Sequence, residues 1–171
     1  MFEKSLELIE ASKSDKNIKD VMDAVSYLVS KNLEESFPLL KEIFFHPLTA
    51  HKIRLEIGKI IASTKNKQVY NLLVSYLILR NFSDLSAVIY TLGEYGNKEV
   101  YSFLVREFPT CNFDAKLQVV SAIEKIKSPE SLEFFSKIYN GDFQKEYLNP
   151  EQLQKLKERA GSALQNQVID L

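Results

Sequence analysis

Asn66-Lys67-Gln68-Val69-Tyr70 returns 31 residues later as Asn97-Lys98-Glu99-Val100-Tyr101. The echo decides the fold, because it extends in both directions at the same step. Asn66 and Asn97 are followed by Ser128, Ile57 by Val88 and Val119, and Ile61 by Leu92 and Ile123. Beyond the shared phrase, Tyr70, Tyr101 and Leu132 align, as do Leu73, Leu104 and Phe135, and then Leu77, Phe108 and Tyr139. A fixed period of this size marks an array of like units, each burying its apolar side against the next. The repeating stretch runs from 54 to 140.

Each copy reads as two helices. Ile57 and Ile61 lie four residues apart, on one face of the first. Val69, Leu72, Leu73, Tyr76 and Leu77 give the second its apolar side. Between them Asn66, Asn97 and Ser128 are expected as N-caps, their side-chain oxygens accepting backbone N–H groups at the helix start. Pro129 suits a first helical position, which needs no N–H. Gly96 suits the left-handed residue that ends a helix.

Paired helices of this length, with Thr91-Leu92-Gly93-Glu94-Tyr95-Gly96-Asn97 closing the first, resemble HEAT repeats. The short period is similar to that of the subclass named after phycobilisome lyases. The resemblance spans 17–140 and is densest over 84–108. The chain departs from the pattern at Ser128-Pro129-Glu130, where the last turn has no glycine. The resemblance implies an all-α fold, a right-handed, armadillo-like α-solenoid of antiparallel helical hairpins. It speaks for fold rather than for activity.

Working outward, 1–171 reads as one domain. Residues 1–16 supply an N-terminal helix, with Leu6 and Ile9 as its apolar side. Residues 17–140 make about four hairpins, the first entered at Ser14 or Asp15 and striped by Ile18, Val21, Met22, Val25, Leu28 and Val29. A helix starting near Glu35 would keep Pro38 in its first turn. Thr49 is expected to cap the next helix, with Leu48 stapled against Ile53. Ser83 is the expected cap before Asp84, and Asn112 or Asp114 the next. Residues 142–148 are a connector. Asn149-Pro150-Glu151 opens a capping helix over 149–171, with Leu153, Leu156, Ala160 and Leu164 on its apolar side.

Composition narrows the function. The chain has 171 residues, 45% hydrophobic and 26% charged, with a net charge of −1. No overall field therefore favours nucleic acid or an anionic membrane. One cysteine, Cys111, excludes an intramolecular disulfide and fits a cytoplasmic setting. Met1-Phe2-Glu3-Lys4-Ser5 does not begin a signal peptide. The apolar run 72–79 is too short to span a bilayer.

Residues that could carry chemistry have plainer readings. His46 and His51 are the only histidines, and Pro47 separates them, so they make a poor metal pair. Cys111 reads as a partly exposed thiol without a base beside it. Gly93-Glu94-Tyr95-Gly96 lacks the Lys-Ser/Thr of a phosphate loop and reads as a helix end. Glu34 and Glu35 sit where a helix dipole favours acids. Most of the 19 tyrosines and phenylalanines fall on apolar repeat positions and read as core rather than as stacking platforms. Between His46 and Ser83, Lys52, Arg54, Lys59, Lys65, Lys67 and Arg80 face one acid, Glu56. That bias reads as a solvated face.

The expected function is thus a non-enzymatic scaffold without cofactor, metal or membrane, binding a protein or peptide along the second helices. With Val69, Leu72, Leu73, Tyr76 and Leu77 turned inward, Asn71, Ser75 and Ile78 point outward at 100° per residue, beside Val74. One period on, the same rows hold Ser102, Val105 and Arg106; two periods on, they hold Lys137 beside Glu133. Two alternatives are a nucleic-acid-binding HEAT-like protein, and a phycobilin-lyase-like chaperone or lyase subunit implied by the resemblance.

Overall fold

A computed structural model describes residues 2–143 and 148–169. Every regular element among them is helical. The chain divides into two compact units, 1–66 and 67–171.

The first unit holds α1 (Phe2–Ala11), a 3-10 turn at Asp15–Asn17, α2 (Ile18–Lys31), α3 (Leu33–Phe45) and α4 (His51–Ser63). Val21 and Val25 from α2, Leu40, Ile43 and Phe44 from α3, and Ile53, Ile57 and Ile61 from α4 are fully buried together as its core. In the second unit come α5 (Lys67–Leu79), α6 (Leu85–Tyr95), a 3-10 turn at Lys98–Val100 and α7 (Tyr101–Glu107). A further turn at Phe108–Thr110 leads to α8 (Phe113–Ile126), α9 (Ser131–Asn140) and α10 (Pro150–Ile169). Helix α6 packs on α5 and α8, while α10 lies across α8 and α9.

The 31-residue register has a physical counterpart. Ile57, Val88 and Val119 are all fully buried, as are Ile61, Leu92 and Ile123, and Leu73, Leu104 and Phe135. One row breaks: Leu77 and Phe108 are buried, but Tyr139 is 55% exposed. The backbone repeats too. Lys65, Gly96 and Lys127, one period apart, all adopt the left-handed conformation, at φ 52°, 65° and 51°. Each ends the first helix of its copy. Glycine is at ease there; the two lysines carry a Cβ into a region that L-residues avoid, at a cost of about 1 kcal/mol or more.

Helices α6 and α8 approach closely at Gly93. A Cβ on Gly93 would stand 2.7 Å from Ala122 Cα and 2.8 Å from Ala122 Cβ. Gly93 is therefore a packing residue in the last turn of α6, and the segment 93–96 is the helix end as expected, with the Gly96 N–H donating to the Gly93 carbonyl at 3.0 Å.

Helix starts differ from expectation in several places. Thr49 does not cap α4. Its hydroxyl donates to the Ile43 carbonyl at 2.6 Å, and the N-cap is Ala50, without a side-chain bond. Leu48 is 62% exposed, so the expected staple is not buried. Asp84, not Ser83, caps α6, accepting from the Ala87 N–H at 3.1 Å. Ser128 spends its hydroxyl on the Glu130 carboxylate, and α9 starts three residues later at Ser131, leaving Pro129 in the turn before it. Asn32 caps α3 by accepting from the Glu34 and Glu35 N–H groups, so that helix begins at Leu33 and Pro38 lies beyond its first turn. Asn112 and Asn97 do cap, as expected, accepting from Ala115 at 2.9 Å and Glu99 at 3.0 Å. Asn149 accepts from the Gln152 N–H at 2.8 Å while Gln152 accepts from Asn149, a reciprocal box that opens α10. Leu156, Ala160 and Ala163 form its fully buried side, with Leu153 and Leu164 half-buried. Part of the expected connector, 144–147, and the end of the chain, 170–171, lie outside the described residues.

Two buried cations correct the reading of the basic stretch. Arg54 is 3% exposed, not on a solvated face; its guanidinium donates to the carbonyls of Phe44 at 2.9 Å and His46 at 2.7 Å. Two periods on, Lys116 is 2% exposed and donates to the carbonyls of Phe108, Pro109 and Cys111, each at 2.7 Å. Both cations sit in the first turn of one helix and take up the carbonyls that end the segment before it. Carbonyls at such an end lack the full set of helical donors and carry the negative end of the dipole; the Phe108 carbonyl also accepts from the Cys111 N–H at 3.2 Å, and that of His46 from the Thr49 N–H at 3.1 Å.

Candidate partner-binding face

Helix α5 sorts its residues by rotation. Val69, Leu73 and Leu77 face the core of the second unit, and Leu72 and Tyr76 flank them half-buried. Asn71, Ser75 and Ile78 are exposed on the other side, Ile78 by 42%, and Val74 is half-buried beside them. On α7, Leu104 is buried, Ser102 and Arg106 are exposed and Val105 is half-buried. On α9, Phe134, Phe135 and Ile138 turn inward, while Glu133 and Lys137 are exposed and paired at 2.6 Å.

Residues outside the expected binding set adjoin this surface. Leu79, next to Ile78, is 67% exposed, so the end of α5 presents two adjacent aliphatic side chains. Arg80 follows in the left-handed conformation, φ 51°. Its guanidinium reaches the Glu107 carboxylate at 2.7 and 3.0 Å, and also meets the Thr110 hydroxyl. Glu107, at the end of α7, accepts on its other oxygen from Arg106 Nε at 3.2 Å. Arg106 also lies over the Phe103 ring, 5.1 Å from its centroid. Arg80 and Glu107 thereby tie the end of α5 to the end of α7; Leu79 precedes the one member of this bridge in sequence and Arg106 precedes the other. No periodic signal links residues 27 apart, so the sequence offered no sign of this pair.

Elsewhere the chemistry is quiet. Cys111 is 8% exposed rather than partly open. Burial pushes its thiol up, and the nearby Lys116 and Arg80 charges do not offset that. Such a thiol is a poor nucleophile. His46 accepts from the Leu48 N–H at 3.2 Å. Among the described residues no cluster of His, Cys, Asp or Glu is arranged to hold a metal, and no helix is long and apolar enough to cross a membrane. A groove of about 390 Å³ in the first unit is lined by Leu33, Glu34, Phe37, Thr64 and Asn66. No known protein family, curated protein or solved structure matches this chain.

Proposed function

We propose that this chain is a HEAT-like α-solenoid that serves in the cytoplasm as a non-enzymatic scaffold, binding a protein or peptide along its second helices. The observation that carries the reading is the end of α5, where Ile78 and Leu79 stand 42% and 67% exposed on the helix whose outward side also carries the exposed polar residues Asn71 and Ser75. Apolar side chains that the fold leaves uncovered, rimmed by polar ones, are the usual material of a partner site. The repeat architecture is supported by three rows of buried side chains at one spacing and by left-handed helix ends at Lys65, Gly96 and Lys127.

Ile78→Glu tests the site. The variant is expected to melt as the natural protein does, because Ile78 contributes little to the core. It should lose the partner that the natural protein captures from its host extract. A variant that keeps its partner removes the site, and one that unfolds shows Ile78 to be a packing residue.

A further inference from the structure

The face is not merely apolar; it carries one cation that its own surroundings leave underused. Two guanidiniums, Arg80 and Arg106, share the single carboxylate of Glu107. Arg80 takes the larger share, with two contacts to one oxygen and a third to Thr110. Arg106 has one long bond, 3.2 Å from Nε, and its side chain is 58% exposed. Neither terminal nitrogen of Arg106 engages another side chain or carbonyl among the described residues. A guanidinium offers five N–H donors in a flat fork that matches a carboxylate. Here the fork is partly oriented, because its central carbon lies over the Phe103 ring and its Nε donates to Glu107. Ordering it on binding therefore costs less than ordering a free arginine. Lys137, the other cation of the face, is neutralised by Glu133 at 2.6 Å and does not compete.

We infer that the partner is an acidic-apolar peptide segment, which lays adjacent apolar side chains on Ile78 and Leu79 and presents a carboxylate to the terminal nitrogens of Arg106. The inference rests on the binding face proposed above and adds the chemistry of its occupant. Arg80, Arg106 and Lys137 stand against the carboxylates of Glu107 and Glu133, and this small positive excess suits one carboxylate rather than a phosphate backbone, whose binding needs many cations.

The full-length chain is panned against a random-peptide phage library, with Ile78→Glu protein as counter-selection. Enriched peptides are expected to pair apolar residues with Asp or Glu. A synthetic winner should bind about tenfold more weakly to Arg106→Glu, and should weaken as salt rises. Exchanging the winner's acid for lysine should restore its binding to Arg106→Glu. Arg106→Gln, which adds no charge beside Glu107, should show the same loss with an unchanged melt. No enrichment over the counter-selection removes both the face and this inference. Enrichment that Ile78→Glu abolishes but Arg106→Glu leaves intact keeps the face and overturns the carboxylate contact. Retention of a single-stranded oligonucleotide that is lost in Arg106→Glu overturns the peptide in favour of nucleic acid.

Discussion

Replacing Gly93 by alanine tests the close approach of α6 and α8. Two effects oppose each other. Alanine is favoured over glycine in a helix interior by about 1 kcal/mol. Against that, the new methyl would stand 2.7 Å from Ala122 Cα and 2.8 Å from Ala122 Cβ. Ordinary carbon contacts begin near 3.5 Å, so α6 and α8 must part by several tenths of an ångström. The obstacle is backbone, which cannot swing aside as a side chain would. Neighbours on both helices are fully buried, including Leu92, Val119 and Ile123, and separation loosens them all. Overpacking of this kind costs about 1–3 kcal/mol, and a backbone obstacle lies at the upper end. The net loss is then about 1–2 kcal/mol, or a fall of about 2–8 °C in Tm for a chain of this size. Urea and thermal denaturation of both proteins measure it. Ala122→Gly in the same background removes the 2.8 Å contact but leaves the 2.7 Å one, so it should restore only part of the loss. If Gly93→Ala melts at or above the natural protein, the helices do not approach in this way and the argument fails.

Two further perturbations probe one buried and one half-buried charge. Lys116→Met keeps the stem but removes the ammonium from the carbonyls of Phe108, Pro109 and Cys111, of which Phe108 keeps the Cys111 N–H; a loss of about 2–4 kcal/mol in urea is expected, and a loss under about 1 kcal/mol would mean that water replaces the ammonium without penalty. Glu124 joins α8 to α10, meeting Arg159 and accepting from Asn166 at 2.8 Å. Burial alone would raise its pKa, but the bonds from Arg159 and Asn166 and the charges of Arg159 and Lys125 outweigh it, so the carboxyl sits below its ordinary value. A lowered acid stabilises the fold above its unfolded-state pKa and loses that contribution as pH falls through the folded one. With solvent screening, Glu124→Gln should cost about 1 kcal/mol at neutral pH. That gap should close below about pH 4, and a gap independent of pH would place the loss in packing instead.

What the sequence made legible was whatever repeats. Burial at Leu73, Leu104 and Phe135 could be read because the same demand recurs at a fixed spacing. The outward set on α5 followed from rotation alone, and Asn71, Ser75 and Ile78 are indeed exposed. Helix starts were less legible, because several polar residues compete for each one and distant partners decide. Thr49 was drawn away by the Ile43 carbonyl, and Ser128 by Glu130. Arg54 was misplaced because a lone basic residue is usually solvated. Its spacing from Lys116, two full periods, was a usable sign that these positions share a burial environment. The ion pair of Arg80 with Glu107 had no such sign, since it depends on a left-handed residue that redirects the chain after α5.

The left-handed helix ends bear on how such a chain can grow by duplication. Gly96 and Lys127 both sit in the left-handed region, at φ 65°, ψ 18° and φ 51°, ψ 47°, so the segment 97–127 enters and leaves through the same kind of helix end. A second copy spliced in after Lys127 would meet a junction already shaped to receive it. The side chains are less accommodating. One period after Gly93, whose bare backbone admits α8, stands Glu124, whose carboxylate is committed to Arg159 of α10. Lengthening the array would therefore require little of the joint and a great deal of the faces: each added copy would need its own small residue at that position, and the charged seal of α10 would have to move to the new last member.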